Sequence, residues 1–319
     1  MGDLTLLDQK VFFVIIICFG LLVYVLVKSF LEAGSKRLFP IPILSSFSKD
    51  MTEMARNGKL DPVVGREKEI RHLIMVLSKR TKNNAVLIGE SGVGKTTIVE
   101  GLAERIAAGD VPLDLLKKRV LALDLNSLLA GTKYRGEFEQ RIKHLTDEIT
   151  RSNRSIIIFI DEIHNLIEAE SSGESISVGD IFKPAMARGD LQIVGATTQE
   201  EYENYFQKDL AFKRRLQPIF VNEPSKKETL AILKGIRQKY EDYHRVKISD
   251  KVLQACIDFS EKMLPGRSFP DKAIDLMDEA CSQARIECLN SDSSQCQDLP
   301  EAKIKDVERI AAEYKEIKG

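Results

Sequence analysis

Gly89-Glu90-Ser91-Gly92-Val93-Gly94-Lys95-Thr96 fits the pattern G-x-x-x-x-G-K-[ST] without deviation, and a second hydroxyl, Thr97, follows it. Glycines at 89, 92 and 94 let the backbone fold into a concave nest whose N–H groups point at phosphate oxygens. Lys95 would reach the β- and γ-phosphates of a nucleoside triphosphate, and the Thr96 hydroxyl would ligate Mg²⁺. An acidic pair, Asp161-Glu162, ends the apolar run Ser155 to Ile160. Asp161 would hold the Mg²⁺ through water, and Glu162 would polarise the attacking water. Binding alone needs no second carboxylate, so Glu162 points to hydrolysis. The chemistry expected is ATP hydrolysis with Mg²⁺.

The elements around these residues alternate. Strands are expected at Ala85–Ile88, Val120–Leu125, Ile156–Ile160, Leu191–Ala196 and Ile219–Val221. After the phosphate loop, Ile98, Val99, Leu102, Ala103 and Ile106 fall at helical spacing on one face. Alternation of this kind predicts an α/β domain with a parallel sheet between two helical layers, its nucleotide outside the carboxyl ends of the strands. Beyond Pro224 the pattern is helical only, which predicts a large ATPase domain over 49–224. A helical lid with a final helix is expected over 225–319.

Composition narrows the class. The 319 residues are 43% hydrophobic and 30% charged with a net charge of −1, a balance that does not suit a protein built to grip nucleic acid phosphates. Five cysteines without a C-x-x-C pair, and four histidines without H-E-x-x-H, offer no zinc site. Cys281 and Cys288 share a probable helix face and read as packing. The N-terminus differs in kind: Val11 to Val27 carries no charge and as a helix would span about 25 Å. A cleaved signal peptide would need a basic region first, whereas Asp3 and Asp8 outnumber Lys10. Residues 1–31 therefore read as one transmembrane helix and 32–48 as a linker. Lys28, Lys36 and Arg37 favour a cytoplasmic body on a single-pass inner-membrane anchor.

Residues 48 to 318 resemble the first ATPase module of the Clp/Hsp100 unfoldases in the AAA+ superfamily. The matching segments are Leu60 to Arg66 (LDPVVGR), the phosphate loop, Gly131 to Phe138 (GTKYRGEF), Phe159 to His164 (FIDEIH), Val194 to Thr198 (VGATT), Lys213-Arg214-Arg215 and Pro270 to Asp275 (PDKAID). The resemblance implies nucleotide contacts from Val63 and Val64, and a Thr198 hydroxyl that senses the γ-phosphate or orients water. It implies that Arg214 and Arg215 act on a neighbouring subunit's nucleotide. It also implies that Lys133, Tyr134 and Arg135 line an axial pore, where Tyr134 grips a translocating polypeptide. A second pore loop is expected in Ala169 to Val178. Without the resemblance, Thr197-Thr198 would read as β-propensity, the arginines as partners of a helix dipole, and Tyr134 as a core cap. Ser268 departs from the family, falling near the usual position of a lid sensing arginine beside Arg267. The apolar span stands where soluble relatives carry a globular substrate domain, and the 319 residues include neither a long coiled-coil insertion nor a second ATPase module; a truncation of a two-ring protein stays open.

These features predict a membrane-anchored AAA+ ATPase, a ring of six subunits by family, that unfolds, extracts or remodels protein substrates at the bilayer. The rival expectation is an ATP-driven assembly subunit of a membrane complex such as a secretion system, without threading. Tyr134 separates the two, because scaffolding does not require an aromatic pore residue.

Overall fold

Apolar runs and polar edges sort the strands of a single six-stranded sheet. These are β1 (Ser48–Asp50), β2 (Asn84–Ile88), β3 (Arg119–Leu123), β4 (Ile156–Ile160), β5 (Gln192–Thr197) and β6 (Leu216–Phe220). The structure is a computed structural model that describes residues 41–129, 135–165, 178–206, 210–290 and 299–317. The expected span Val11–Val27, the linker up to residue 40, Lys133, Tyr134, residues 169–177 and most of the polar tail lie outside the described residues. Among the described residues, no helix is long and apolar enough to cross a membrane. All but the first two described residues belong to the compact unit Ile43–Gly319.

Strand order is β1-β3-β4-β5-β2-β6, with β1 antiparallel and the rest parallel. Every residue of β2, β4 and β5 is buried, as strands covered on both faces require. The crossings between strands run through α1 (Pro42–Ser46), α2 (Met51–Arg56), α3 (Glu67–Leu77), α4 (Lys95–Ala108), α5 (Leu125–Leu129) and α6 (Arg135–Arg151). They continue with α7 (Val178–Arg188), α8 (Gln199–Glu201), a π-helical turn (Tyr202–Phe206) and α9 (Leu210–Lys213). The expected stripe on α4 is buried at Ile98, Val99, Leu102, Ala103 and Ile106, in one core with β2 and α3. The order leaves β2, β4 and β5 side by side, so their carboxyl ends deliver three loops to one place.

The lid is all helical, with α10 (Lys226–His244), α11 (Asp250–Met263), α12 (Asp271–Asn290) and α13 (Ile304–Ile317) around its own core. Ser225 starts it with a capping box to Glu228. Cys256 and Cys281 are buried in that core, and burial pushes both thiols up to about 12. Both pack as hydrophobes.

Several element bounds differ from those expected. Asp124 ends β3 early because its carboxylate accepts the Ser127 N–H at 3.1 Å, which makes Leu125 the start of α5 rather than the end of a strand. β6 begins at Leu216, ahead of the expected Ile219; Pro218 interrupts the apolar run, and an edge strand tolerates it. Thr198 caps α8 beyond β5 instead of ending the strand. Residues 42–48, read as linker, form α1 and the start of β1. Their bonds are long-range and leave no local periodicity: Glu148 of α6 accepts the N–H groups of Ile43 (3.2 Å) and Leu44 (2.9 Å). Asp50 caps α2 and pairs with Arg119 at 2.7 Å.

Removing the Glu148 carboxylate leaves two backbone donors without their acceptor, at a cost of about 1–2 kcal/mol. In Glu148→Ala, amide exchange at Ile43 and Leu44 is expected to quicken at least tenfold while β2, β4 and β5 stay protected. Unchanged exchange at Ile43 and Leu44 would show that Glu148 does not hold this segment.

Candidate nucleotide site

The phosphate loop runs from β2 into α4, and its glycines are demanded by geometry. Gly92 (φ 80°) and Gly94 (φ 94°) take left-handed conformations that turn successive N–H groups inward. A Cβ on Gly89 would lie 2.3 Å from the Val221 carbonyl oxygen. Val93 is buried in the domain core and anchors the loop from beneath. Lys95 opens α4, and its ammonium donates to the carbonyls of Gly89 (2.8 Å) and Glu90 (2.9 Å). Burial is the largest influence on Lys95 and lowers its pKa, against the opposing pull of Asp161, Glu201, Glu90 and Glu162. A triphosphate entering the nest would meet this cation and the amino end of α4 together.

A cavity of about 300 Å³ lies over the loop. Ser91, Gly92, Gly94, Lys95, Thr96 and Thr97 form its floor, and Asp161, Glu162, Thr197, Thr198 and Glu201 form one wall. Thr96 Oγ1 and Asp161 Oδ2 are 3.5 Å apart. Two hard oxygen ligands at this separation suit a Mg²⁺ held directly by the hydroxyl and through water by the carboxylate. The donor set fits Mg²⁺ bound to a nucleotide.

Two glutamates reach this cavity, and their surroundings divide their roles. Oε2 of Glu201 accepts from the Thr198 N–H (2.9 Å) and the Thr197 hydroxyl (3.0 Å), and lies 3.1 Å from His164 Nδ1. Burial works against its charge, but the bonds from Thr198 and Thr197 and the His164 ring outweigh it and hold the carboxyl below its usual range. A carboxylate so engaged is a poor proton acceptor. Glu162 is exposed, and among the described residues its carboxylate meets only Asn165 Nδ2, at 3.4 Å. Glu162 is the better base.

The lid closes the cavity from the far side with Pro270, Asp271 and Ile274 of α12 and its approach. A Cβ on Gly92 would sit 2.6 Å from the Asp271 Cβ, so the lid presses on the phosphate loop itself. Arg267 pairs with Asp271 (3.0 Å) and with Asp275, and so orients the lid's acidic edge. Ser268, the departure noted in the sequence, lies beside it.

Arg66 was legible only as part of a turn, yet it ties the site together. Arg66 is 6% exposed, and its guanidinium donates to the carbonyls of Val93 (2.6 Å) in the phosphate loop and Asn222 (3.1 Å) on the path to the lid. It also pairs with Glu69 at 3.0 Å. Val63 and Val64 are not among the residues lining this cavity over the phosphate loop. A Cβ on Gly101 of α4 would meet Val63 at 3.2 Å, and one on Gly235 of α10 would meet Val64 at 2.5 Å. The two valines wedge the turn between ATPase domain and lid. The Glu90 carbonyl accepts from Lys95, and the Val93 side chain is buried in the core beneath the loop. Glu201 had a readable signal, the T-x-x-E capping box from Thr198.

Arg214 and Arg215 form the turn after α9 rather than its end, and precede β6. Leu216 pairs with Asn84 at the amino end of β2, so about 15 Å of strand separates the arginines from the phosphate loop. They do not reach the cavity of their own chain. Arg215 Nε is buried with no hydrogen-bond partner among the described residues. Arg135 opens α6, while Lys133 and Tyr134 lie outside the described residues.

Replacing Arg66 by Met leaves the Val93 and Asn222 carbonyls without their shared donor, each worth about 1–3 kcal/mol when buried. The variant is expected to lose about 2–4 kcal/mol in denaturant unfolding and to bind a fluorescent ATP analogue about tenfold more weakly. Wild-type affinity in Arg66→Met would remove Arg66 from the account of the loop.

Comparisons with known proteins agree with this geometry. Residues 85–221 match the ATPase family associated with various cellular activities (AAA), and residues 225–318 match the AAA lid domain. The chaperone protein ClpB of Corynebacterium efficiens is 53% identical over 249 residues, covering 78% of this chain and 29% of that protein. ClpB of Mycobacterium leprae is 54% identical over 250 residues, covering 78% and 30%. The S. cerevisiae Hsp104–casein complex in its extended conformation superposes with a TM-score of 0.74 at 44% identity, covering 85% of this chain and 45% of that one. The S. cerevisiae Hsp104–ADP complex gives 0.75 at 43% identity, covering 86% and 45%. The chain spans under a third of the length of these curated relatives. By its nucleotide domain, its lid and their order, the chain belongs to the AAA+ ATPases of the Clp/Hsp100 family.

Proposed function

We propose that this protein hydrolyses ATP to remodel protein substrates, as one subunit of a ring. The observation that carries the proposal is the convergence of Lys95, Thr96, Asp161 and Glu162 with the lid residue Asp271 around one cavity. Lys95 and the loop N–H groups would hold the triphosphate; Thr96 and Asp161 would hold Mg²⁺, which when bound would supply charge neutralisation at the phosphate oxygens. Glu162 takes a proton from water as its oxygen bonds to the γ-phosphorus and the bond to ADP breaks. Thr198 directs its hydroxyl toward the same cavity.

Assembly is part of the proposal. A guanidinium is needed where charge develops in phosphoryl transfer, and Arg214 and Arg215 lie too far from their own phosphate loop to supply it. A neighbouring subunit can, and a closed ring of six gives each site one such neighbour. The relatives with solved structures include Hsp104 bound to casein, which supports a protein substrate here, with Tyr134 as the gripping ring. We also propose that Val11–Val27 anchors the ring in the inner membrane, with the ATPase body in the cytoplasm. The uncharged run and the basic residues after it support this.

Two measurements test the reading. Lys95→Ala is expected to lose nucleotide binding, whereas Glu162→Gln should bind ATP and hydrolyse it at least about a hundredfold more slowly. Normal turnover by Glu162→Gln would refute the assigned base. Tyr134→Ala should keep its ATPase rate within about twofold and fail to unfold a fluorescent protein bearing an unstructured tail. Equal unfolding by Tyr134→Ala and the wild type would favour assembly work without threading.

A further inference from the structure

Glu162 must hold its carboxylate at the cavity from an unfavourable backbone. Its φ is 47°, a left-handed conformation that a side-chain-bearing residue keeps only where its surroundings fix it. Two contacts hold the next two residues. The Ile163 N–H donates to the Ala196 carbonyl at 3.0 Å, and the Ile163 side chain fills the space over Gly195, where a Cβ would lie 2.6 Å away. His164 then turns inward; it is 7% exposed, stacked on Tyr205 with ring centroids 6.0 Å apart.

The buried imidazole ends in the group that orders the opposite wall. Nδ1 lies 3.1 Å from Glu201 Oε2 and 3.2 Å from Thr197 Oγ1. The Thr197 hydroxyl gives its proton to Glu201, so Nδ1 carries a proton and donates to Thr197 Oγ1, with the Glu201 carboxylate beside it. Glu201 Oε2 accepts from the Thr197 hydroxyl and the Thr198 N–H. The Glu201 N–H in turn donates to Thr198 Oγ1 at 3.3 Å. His164, Thr197 and Glu201 therefore join the turn carrying Glu162 to Thr198, whose N–H meets the Glu201 carboxylate and whose hydroxyl meets the Glu201 N–H. A network with every donor matched rigidifies what it joins, and a missing member loosens both ends.

We infer that His164 and Glu201 are positioning residues for ATP hydrolysis, fixing Glu162 in its left-handed conformation and the Thr198 hydroxyl at the cavity. The inference rests on the ATPase reading above. Neither residue belongs to the phosphate loop, so their loss should act on turnover more than on binding.

The test is steady-state ATPase on the full chain, with ATP affinity and melting temperature measured alongside. His164→Phe keeps the buried ring and its stacking but removes the donor. It is expected to lower kcat at least about tenfold, with ATP affinity within threefold of wild type. His164→Asn places an N–H near the Nδ1 position and is expected to recover kcat to within about threefold of wild type. Glu201→Gln, which keeps an acceptor oxygen but loses the charge, is expected to lower kcat with ATP affinity unchanged or tighter. If His164→Phe does not fold, the Glu201→Gln result decides. Wild-type kcat in His164→Phe, parallel loss of kcat, affinity and melting temperature, or no recovery in His164→Asn would each overturn the inference. A wild-type chain that binds ATP without turning it over would instead refute the ATPase reading, and the inference with it.

Discussion

One buried cation governs this molecule. Arg66 binds the phosphate loop through the Val93 carbonyl and the path to the lid through the Asn222 carbonyl. A guanidinium can do this because its donors fan out in a fixed plane and its charge persists at any physiological pH. The loop is thereby held from behind, while Asp271 presses on Gly92 from the front. A shift of the lid is felt at the phosphates, and a change at the phosphates is felt at the lid. Val63 and Val64 extend the same joint, each filling the gap over a helix glycine, one in the ATPase domain and one in the lid.

Sheet order imposes the second constraint. The carboxyl ends of β2, β4 and β5 put cation, metal ligands, base and sensing hydroxyl within one cavity. Because β6 runs parallel to β2, the arginines that precede it fall at the opposite end of the strands. Among the described residues, Lys95 is the one cation lining the cavity. Under the proposed function, the arginine turn would complete another copy's site, and coupling between subunits would follow from strand register.

The chemistry was more legible in the sequence than the joinery. Phosphate loop, Asp161-Glu162, three buried strands and the α4 stripe carry their signals locally, as glycine spacing, charge at a strand end and apolar periodicity. Arg66 and Glu148 act through hydrogen bonds to distant backbone, and no local period marks such a partner. Edges were read least well for the same reason: β1 is three polar residues, and β6 hides its start behind Pro218 and two arginines. Val63 and Val64 also pack the joint between domain and lid, a role that depends on Gly101 and Gly235 far along the chain. The valines could be seen; the glycines they fill could not be assigned to them.

The central claim is that nucleotide and lid are mechanically joined through the Arg66-held loop. Spin labels at exposed Arg80 in the ATPase domain and Gln254 in the lid would report their separation by pulsed dipolar spectroscopy. Measurements would be made without nucleotide, with Mg-ATP in a Glu162→Gln background, and with ADP. The account predicts a distance distribution that narrows and shifts with Mg-ATP, and a response largely lost when Arg66 is replaced by Met even at saturating nucleotide. One unchanging distribution across the three conditions, or a full response in Arg66→Met, would contradict it.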